Sequence, residues 1–149
     1  MSRGLEGALT FRSVTMDDAE LLLQWRNDPE TRRASRQTAP VTRHEHLEWL
    51  AKSLGSPPRT LRIVEKGGVP VGVVRADLVN GAHELSWTVA PAARGSGVGK
   101  WMVARFASEF PGPLRAEVRK DNPASMRIAE FVGMVIEKEE GDFLCYSRG

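Results

Sequence analysis

Three glycines alternate with other residues in Arg94-Gly95-Ser96-Gly97-Val98-Gly99, where an alternating strand pattern gives way to a helical one. That arrangement suits anion binding. Small residues let the backbone approach a phosphate, and the free N–H groups of the first helical turn, aided by the helix dipole, point at it. Two commoner phosphate motifs do not fit. A Walker loop requires glycine where Arg94 stands and a hydroxyl where Trp101 stands. A dinucleotide fingerprint requires glycine at Lys100 or at Met102. A plain tight turn before a helix is the competing reading.

Other chemistry-bearing residues are less distinctive. Five arginines (Arg26, Arg32, Arg33, Arg36, Arg43) lie between positions 26 and 43 against two acids, Asp28 and Glu30. They read either as a solvated helix-loop surface or as a site for an anionic part of a substrate. His44-Glu45-His46 is followed by Leu47-Glu48, so the His-Glu-x-x-His zinc signature is absent. It reads as a solvated helix face, and no metal site is expected. Cys145 alternates with Phe143 and reads as a core side chain. As the single cysteine it excludes an internal disulfide and suits a reducing compartment.

The elements that must position these residues follow from periodicity. Residues 8–14 alternate as a strand. Thr15, Asp17 and Asp18 then open a helix carrying Leu21, Leu22 and Trp25, which stops near Asn27-Asp28-Pro29. A second helical segment begins at Pro29. Thr42-Arg43-His44-Glu45 has capping-box spacing, and Leu47, Leu50, Ala51 and Leu54 form the predicted apolar stripe behind it. A meander follows over 60–66, 69–79 and 83–90, turning at Gly67-Gly68 and Asn80-Gly81. The glycine-loop helix carries Val98, Trp101, Met102 and Phe106. A strand over 114–118, a helix started by Asn122-Pro123 and a hairpin around Gly141-Asp142 complete an α+β domain with a mostly antiparallel sheet.

The bulk numbers agree with one ordinary domain. The chain has 149 residues, 41% hydrophobic and 27% charged, with a net charge of +2. That length suits one core, and the balance favours neither disorder nor nucleic-acid binding. No apolar run approaches the ~20 residues that span a bilayer. The first twenty residues show no basic head followed by an apolar run, so a cytoplasmic location is the default expectation.

Arg94-Gly95-Ser96-Gly97-Val98-Gly99 fits [Gln/Arg]-x-x-Gly-x-[Gly/Ala] and resembles the pyrophosphate loop of the GCN5-related N-acetyltransferase (GNAT) superfamily. The strand Glu84–Val89 ending in Ala90-Pro91, and Asp121-Asn122-Pro123-Ala124-Ser125 leading to Phe131-Val132-Gly133-Met134, extend the resemblance over residues 8–147. It implies one catalytic domain over residues 1–149, with a mostly antiparallel mixed sheet of about seven strands flanked by about four helices. It also implies acetyl-CoA as acyl donor. Its pantetheine arm would pair with main-chain groups of Thr88 and Val89, and its pyrophosphate would lie on amides of Arg94, Gly95, Ser96, Gly97, Val98, Gly99 and Lys100. Asn122 and Ser125 match cofactor-side positions, although Asn122 reads equally as a helix cap.

Acetyl transfer requires an unprotonated amine, and for a lysine-like amine of pKa ~10.4 neutral water leaves a deficit of roughly 4.6 kcal/mol. By position, Glu84 resembles the base glutamate of the histone-acetylating branch, and alternation sets Ser86 and Thr88 on its face. An exposed strand-start glutamate is the competing reading. The tyrosine that often protonates the leaving thiolate in this family is replaced by Ala129, and Tyr146, the only tyrosine, is the substitute the chain offers.

Trp25-Arg26-Asn27-Asp28-Pro29-Glu30-Thr31-Arg32 resembles a segment of two subfamilies. One acetylates bacterial nucleotide-linked amino sugars and the other ribosomal-protein N-termini. In both it walls the acceptor cleft, implying acceptor contacts from Trp25, Arg26, Asn27 and Arg32. The local arginines favour a small-molecule amine of the amino-sugar type over a protein N-terminus. A non-catalytic acyl-CoA-binding regulatory module is the rival from another class. No nucleic-acid or membrane partner is expected, and a homodimer is compatible with the reading.

Overall fold

A computed structural model describes residues 8–149, so the reading made at residues 1–7 lies outside the described range. Among the described residues seven strands form one sheet: β1 (Leu9–Ser13), β2 (Arg59–Lys66), β3 (Val69–Val79), β4 (Ala82–Val89), β5 (Leu114–Arg119), β6 (Val135–Glu140) and β7 (Phe143–Arg148). Their order is β1-β2-β3-β4-β5-β7-β6, and every pair is antiparallel except β4–β5.

Five α-helices flank the sheet among the described residues, against about four expected: α1 (Ala19–Asn27), α2 (Pro29–Ala34), α3 (Arg43–Leu54), α4 (Val98–Ala107) and α5 (Pro123–Phe131). The shortest is α2, the segment that the sequence reading begins at Pro29, and its existence depends on its start. The Asp28 side chain accepts from the Thr31 N–H, and Pro29 occupies the first turn. Helix α3 begins with a reciprocal capping box, Thr42 accepting from the Glu45 N–H and Glu45 from the Thr42 N–H. None of the described helices is long and apolar enough to cross a membrane.

The sheet separates two cores. One face carries Leu85, Val98, Met102, Phe106, Ile128 and Tyr146, between the strands and helices α4 and α5. The other carries Leu22, Trp25, Leu50, Leu61, Ile63 and Ala90, under helices α1 and α3. The buried stripe of α3 is His46, Leu50 and Ser53, whereas Ala51 and Leu54 are exposed. The predicted stripe is therefore rotated. Ser53 is tolerated inside because its Oγ accepts from Arg59 Nη1 at 2.8 Å.

Gly72 on β3 lets α4 lie close over the sheet. A Cβ there would stand 2.8 Å from the Thr88 carbonyl oxygen and 2.6 Å from Met102 Sδ. Gly72→Ala is expected to destabilise the fold by about 1–3 kcal/mol through overpacking. A thermal melt should show a drop of several degrees, and an unchanged Tm would mean that β3 and α4 yield freely.

Candidate active site

The site begins with a defect in the sheet. Strand β4 pairs with β5 only at His83↔Leu114 and Glu84↔Arg115, and beyond Glu84 the two strands part. Main-chain parity determines which groups face the opening. The Ala90 N–H donates to Val71 on β3, while the His83 N–H donates to Pro113 on the opposite side. Alternation therefore turns the backbone groups of Trp87 and Val89 into the gap and those of Thr88 into the β3 ladder. The backbone of Val89, which the sequence reading assigns to the arm, faces the gap. That of Thr88 does not, since the parity rests on a register that the sequence reading lacks. The main-chain pair facing the gap is Trp87 and Val89.

At the far end of β4 the chain passes through a short 3-10 turn, Pro91–Ala93, into the glycine loop. Gly95 and Gly97 have φ of 78° and 82°, a region that side chains disfavour, and Gly97 caps α4. The Ser96 hydroxyl is occupied by the Ala93 carbonyl at 2.6 Å. The first-turn amides of Gly99 and Lys100 leave the helix end without a backbone partner. Gly99 serves a different purpose. A Cβ there would lie 2.7 Å from Ile128 Cδ1 and 3.1 Å from Val89 Cγ2, so its absence lets α4, α5 and β4 converge. A strand edge with free groups, running to positive-φ glycines and orphan amides, fits a ligand with an extended arm and a diphosphate.

Arg94 is used differently from its loop neighbours. Its amide turns to the Pro91 carbonyl at 3.4 Å. Its guanidinium donates to Asp28 Oδ2 at 2.6 Å and Thr31 Oγ1 at 3.1 Å, with Glu30 Oε2 at 3.2 Å. The residue that opens the glycine pattern thus ties the loop to α2. Hydrogen bonding from Arg94 holds the Asp28 carboxyl below its ordinary pKa. Because the folded-state value is depressed, the stabilisation is present at neutral pH and is lost as pH falls through that lowered value.

A cleft of about 1630 Å³ contains the gap and continues to the face under α1–α3. Its lining includes Trp25 and Arg26 from the predicted acceptor segment, whereas Asn27 and Arg32 do not reach it. Asn27 is a clip: its Nδ2 donates to the Val41 carbonyl and its Oδ1 accepts from the Val41 N–H, both at 2.8 Å. Glu84 is exposed, lines the cleft, and stands at the last β4–β5 pair where the opening starts. Beside it on the same face, Ser86 accepts from Arg75 Nη2 at 3.2 Å. Sequence reasoning passes over Arg75, whose pKa burial lowers, because a single arginine in a strand looks like a solvated residue.

Tyr146 also lines the cleft, but from the α4–α5 core. It is 1% exposed, and its hydroxyl has no hydrogen-bond partner among the described residues. Burial raises its pKa, which keeps the phenol protonated. Cys145 lies on the opposite face of β7 as a buried thiol that burial likewise pushes up, away from the reactive thiolate form. Asn122 Oδ1 caps α5 by accepting from the Ser125 N–H at 3.2 Å, and Ser125 Oγ accepts from Trp87 Nε1 at 3.1 Å.

The two histidines of His44-Glu45-His46 separate. His44 is solvated beside Glu48, as expected of a surface helix face. His46 is 4% exposed, stacks on Trp49 at 5.7 Å and lines the cleft. Periodicity overlooks it by assigning the stripe of α3 to the leucines. The His46-Leu50 spacing of one helical turn is the available signal.

A model of the acetyltransferase (GNAT) domain matches residues 8–135. Comparison with curated protein sequences finds no match. Among solved structures, spermidine N-acetyltransferase from Vibrio cholerae in complex with CoA and spermine is 17% identical, covers 95% of each chain and has a TM-score of 0.83. An acetyltransferase from Thermus thermophilus is 24% identical over 95% of this chain and 96% of that one, with a TM-score of 0.81. The ribosomal L7/L12 alpha-N-protein acetyltransferase RimL in complex with CoA is 13% identical over 95% and 93%, also at 0.81. Likeness at these identities is likeness of fold, and the family rests on the domain match. The chain belongs to the GNAT family and is an N-acetyltransferase that takes its acetyl group from acetyl-CoA.

Proposed function

We propose that residues 1–149 act as one catalytic domain that acetylates a primary amine of a small molecule, of the nucleotide-linked amino-sugar type. The observation that carries the catalytic part is the opening of β4 from β5 at Glu84, with the glycine loop at its other end. Acetyl-CoA supplies an activated acyl group as a thioester. Trp87 and Val89 hold its arm by main-chain groups, and a strand amide such as Val89's donates to the carbonyl oxygen as charge develops there. The amides of Gly99 and Lys100, beyond the Gly97 cap, would take the diphosphate. Glu84, directly or through water, removes a proton from the acceptor ammonium. Tyr146, protonated in its buried position, is the proton donor that the chain offers to the departing thiolate.

Arg26 and Arg33, which line the cleft on the α1–α2 wall, support the acceptor assignment. A guanidinium contact to phosphate is worth about 1.5–3 kcal/mol in a sheltered place. Nucleotide-linked amino sugars should therefore exceed the free sugars by about tenfold or more in kcat/KM. The check is a panel of sugar nucleotides, free amino sugars and short peptides with free amino ends, read by released thiol. Strong turnover of one peptide with no gain from diphosphate would replace this acceptor by a protein N-terminus. Binding of acetyl-CoA without turnover on any member would favour a regulatory module.

A further inference from the structure

Among the described residues, two buried nitrogens that line the cleft lack a hydrogen-bond partner, Arg26 Nη1 on α1 and His46 Nε2 on α3, and so does Arg32 Nε on α2, which lies outside the lining. They belong together. Arg26 and His46 line the same cleft, and burial first, then the neighbouring charge (Arg32 for Arg26, Arg26 for His46), lowers the pKa of each. An unmade hydrogen bond at a buried polar atom costs about 1–3 kcal/mol, more for a charged group. A cleft with two such atoms in its lining and a further unpaired guanidinium behind them is short of a ligand group that supplies their partners.

The chemistry of the three atoms defines that group. Arg26 already donates through Nη2 to the Gln37 carbonyl at 3.0 Å, which fixes the guanidinium and leaves Nη1 as a free donor. No carboxylate pairs with Arg26 or Arg32 among the described residues, since Asp28 and Glu30 are taken by Arg94. Two uncompensated guanidiniums side by side call for an oxyanion. His46 differs. Burial lowers its pKa, against a smaller opposing influence of the Ala19 backbone, and so favours the neutral ring. Nε2 then presents a lone pair, which calls for an N–H or O–H donor.

We propose that Arg26 and His46, with the charge of Arg32 behind them, form a recognition pocket for an acceptor carrying an oxyanion, phosphate or carboxylate, next to an amine or hydroxyl that donates to His46 Nε2. The pocket rests on the reading of this cleft as the acceptor site and narrows it to anionic amines. It sets the chain apart from a polyamine-binding site, where two unpaired arginines would repel the ligand.

The test uses the whole protein saturated with CoA, so that the glycine loop is filled. The Tm rise on adding CoA reads the acetyltransferase assignment separately. The probes are 2-aminoethyl phosphate, β-alanine and ethanolamine, which present phosphate, carboxylate and neither. Only three histidines are present, so imidazole C–H signals give a local readout, with His83 and His44 as internal controls. At least one anionic probe should move the His46 signal saturably and bind about tenfold or more tightly than ethanolamine. The better of the two anions identifies the oxyanion. Arg26→Gln should weaken that probe by about tenfold or more while keeping the CoA-induced Tm rise. Arg32→Gln, on a more exposed segment, is the second variant should the first fold poorly. Equal binding of ethanolamine, an unmoved His46 signal, or full anion affinity in both variants would overturn the proposal.

Discussion

Gly97→Glu is expected to abolish acetyl-CoA binding in a protein that still folds. Gly97 caps α4 with φ of 82°, and the Gly99 and Lys100 amides just beyond it are the ones left open for a diphosphate. A glutamate side chain fills that concavity and places a negative charge against the phosphates. Losing two charge-assisted contacts alone removes about 3–6 kcal/mol, so the affinity should fall by about a hundredfold at least. The backbone cost of a non-glycine residue in the left-handed region is about 1–2 kcal/mol. That is a drop of several degrees in Tm, not an unfolded chain. Calorimetric titration with circular dichroism as the fold control decides the point. A folded variant that binds with unchanged affinity would remove the glycine loop from the site.

Glu84→Gln is expected to lower kcat by about 10²–10⁴ at neutral pH, with cofactor affinity almost unchanged. Glutamine keeps the size of the side chain and loses only its ability to accept a proton. Because Glu84 is exposed and forms no ion pair among the described residues, stability should hardly change. The deficit should shrink as pH rises, since the amine then arrives deprotonated from solution. Rates across a range from about pH 6.5 to about pH 10, with the acceptor saturating, separate this from a binding defect. Full activity at neutral pH would leave Glu84 as a strand residue and return the search for a base to the rest of the cleft.

What the chain determined by itself is the part governed by neighbours in sequence. Thr42 with Glu45, Asp28 with Pro29, and Asn122 with Pro123 start three helices through side-chain and ring geometry that needs no distant contact. Gly67-Gly68 and Asn80-Gly81 turn the meander by their positive φ. The glycine loop is legible for the same reason, as its spacing and its place before a helix are local. The tertiary structure alone decided what depends on pairing and on rotation about an axis. Whether Thr88 or Trp87 offers its backbone to the gap is set by the register of β4 against β3, where a shift of one residue inverts every group. Arg94 and Asp28 meet across 66 residues of chain, which turns an expected phosphate residue into a tie between the loop and α2. His46 became part of the cleft because α3 packs with His46, Leu50 and Ser53 inward. Periodicity shows that a helix has an inner face, but the elements packed against it decide which residues that face contains.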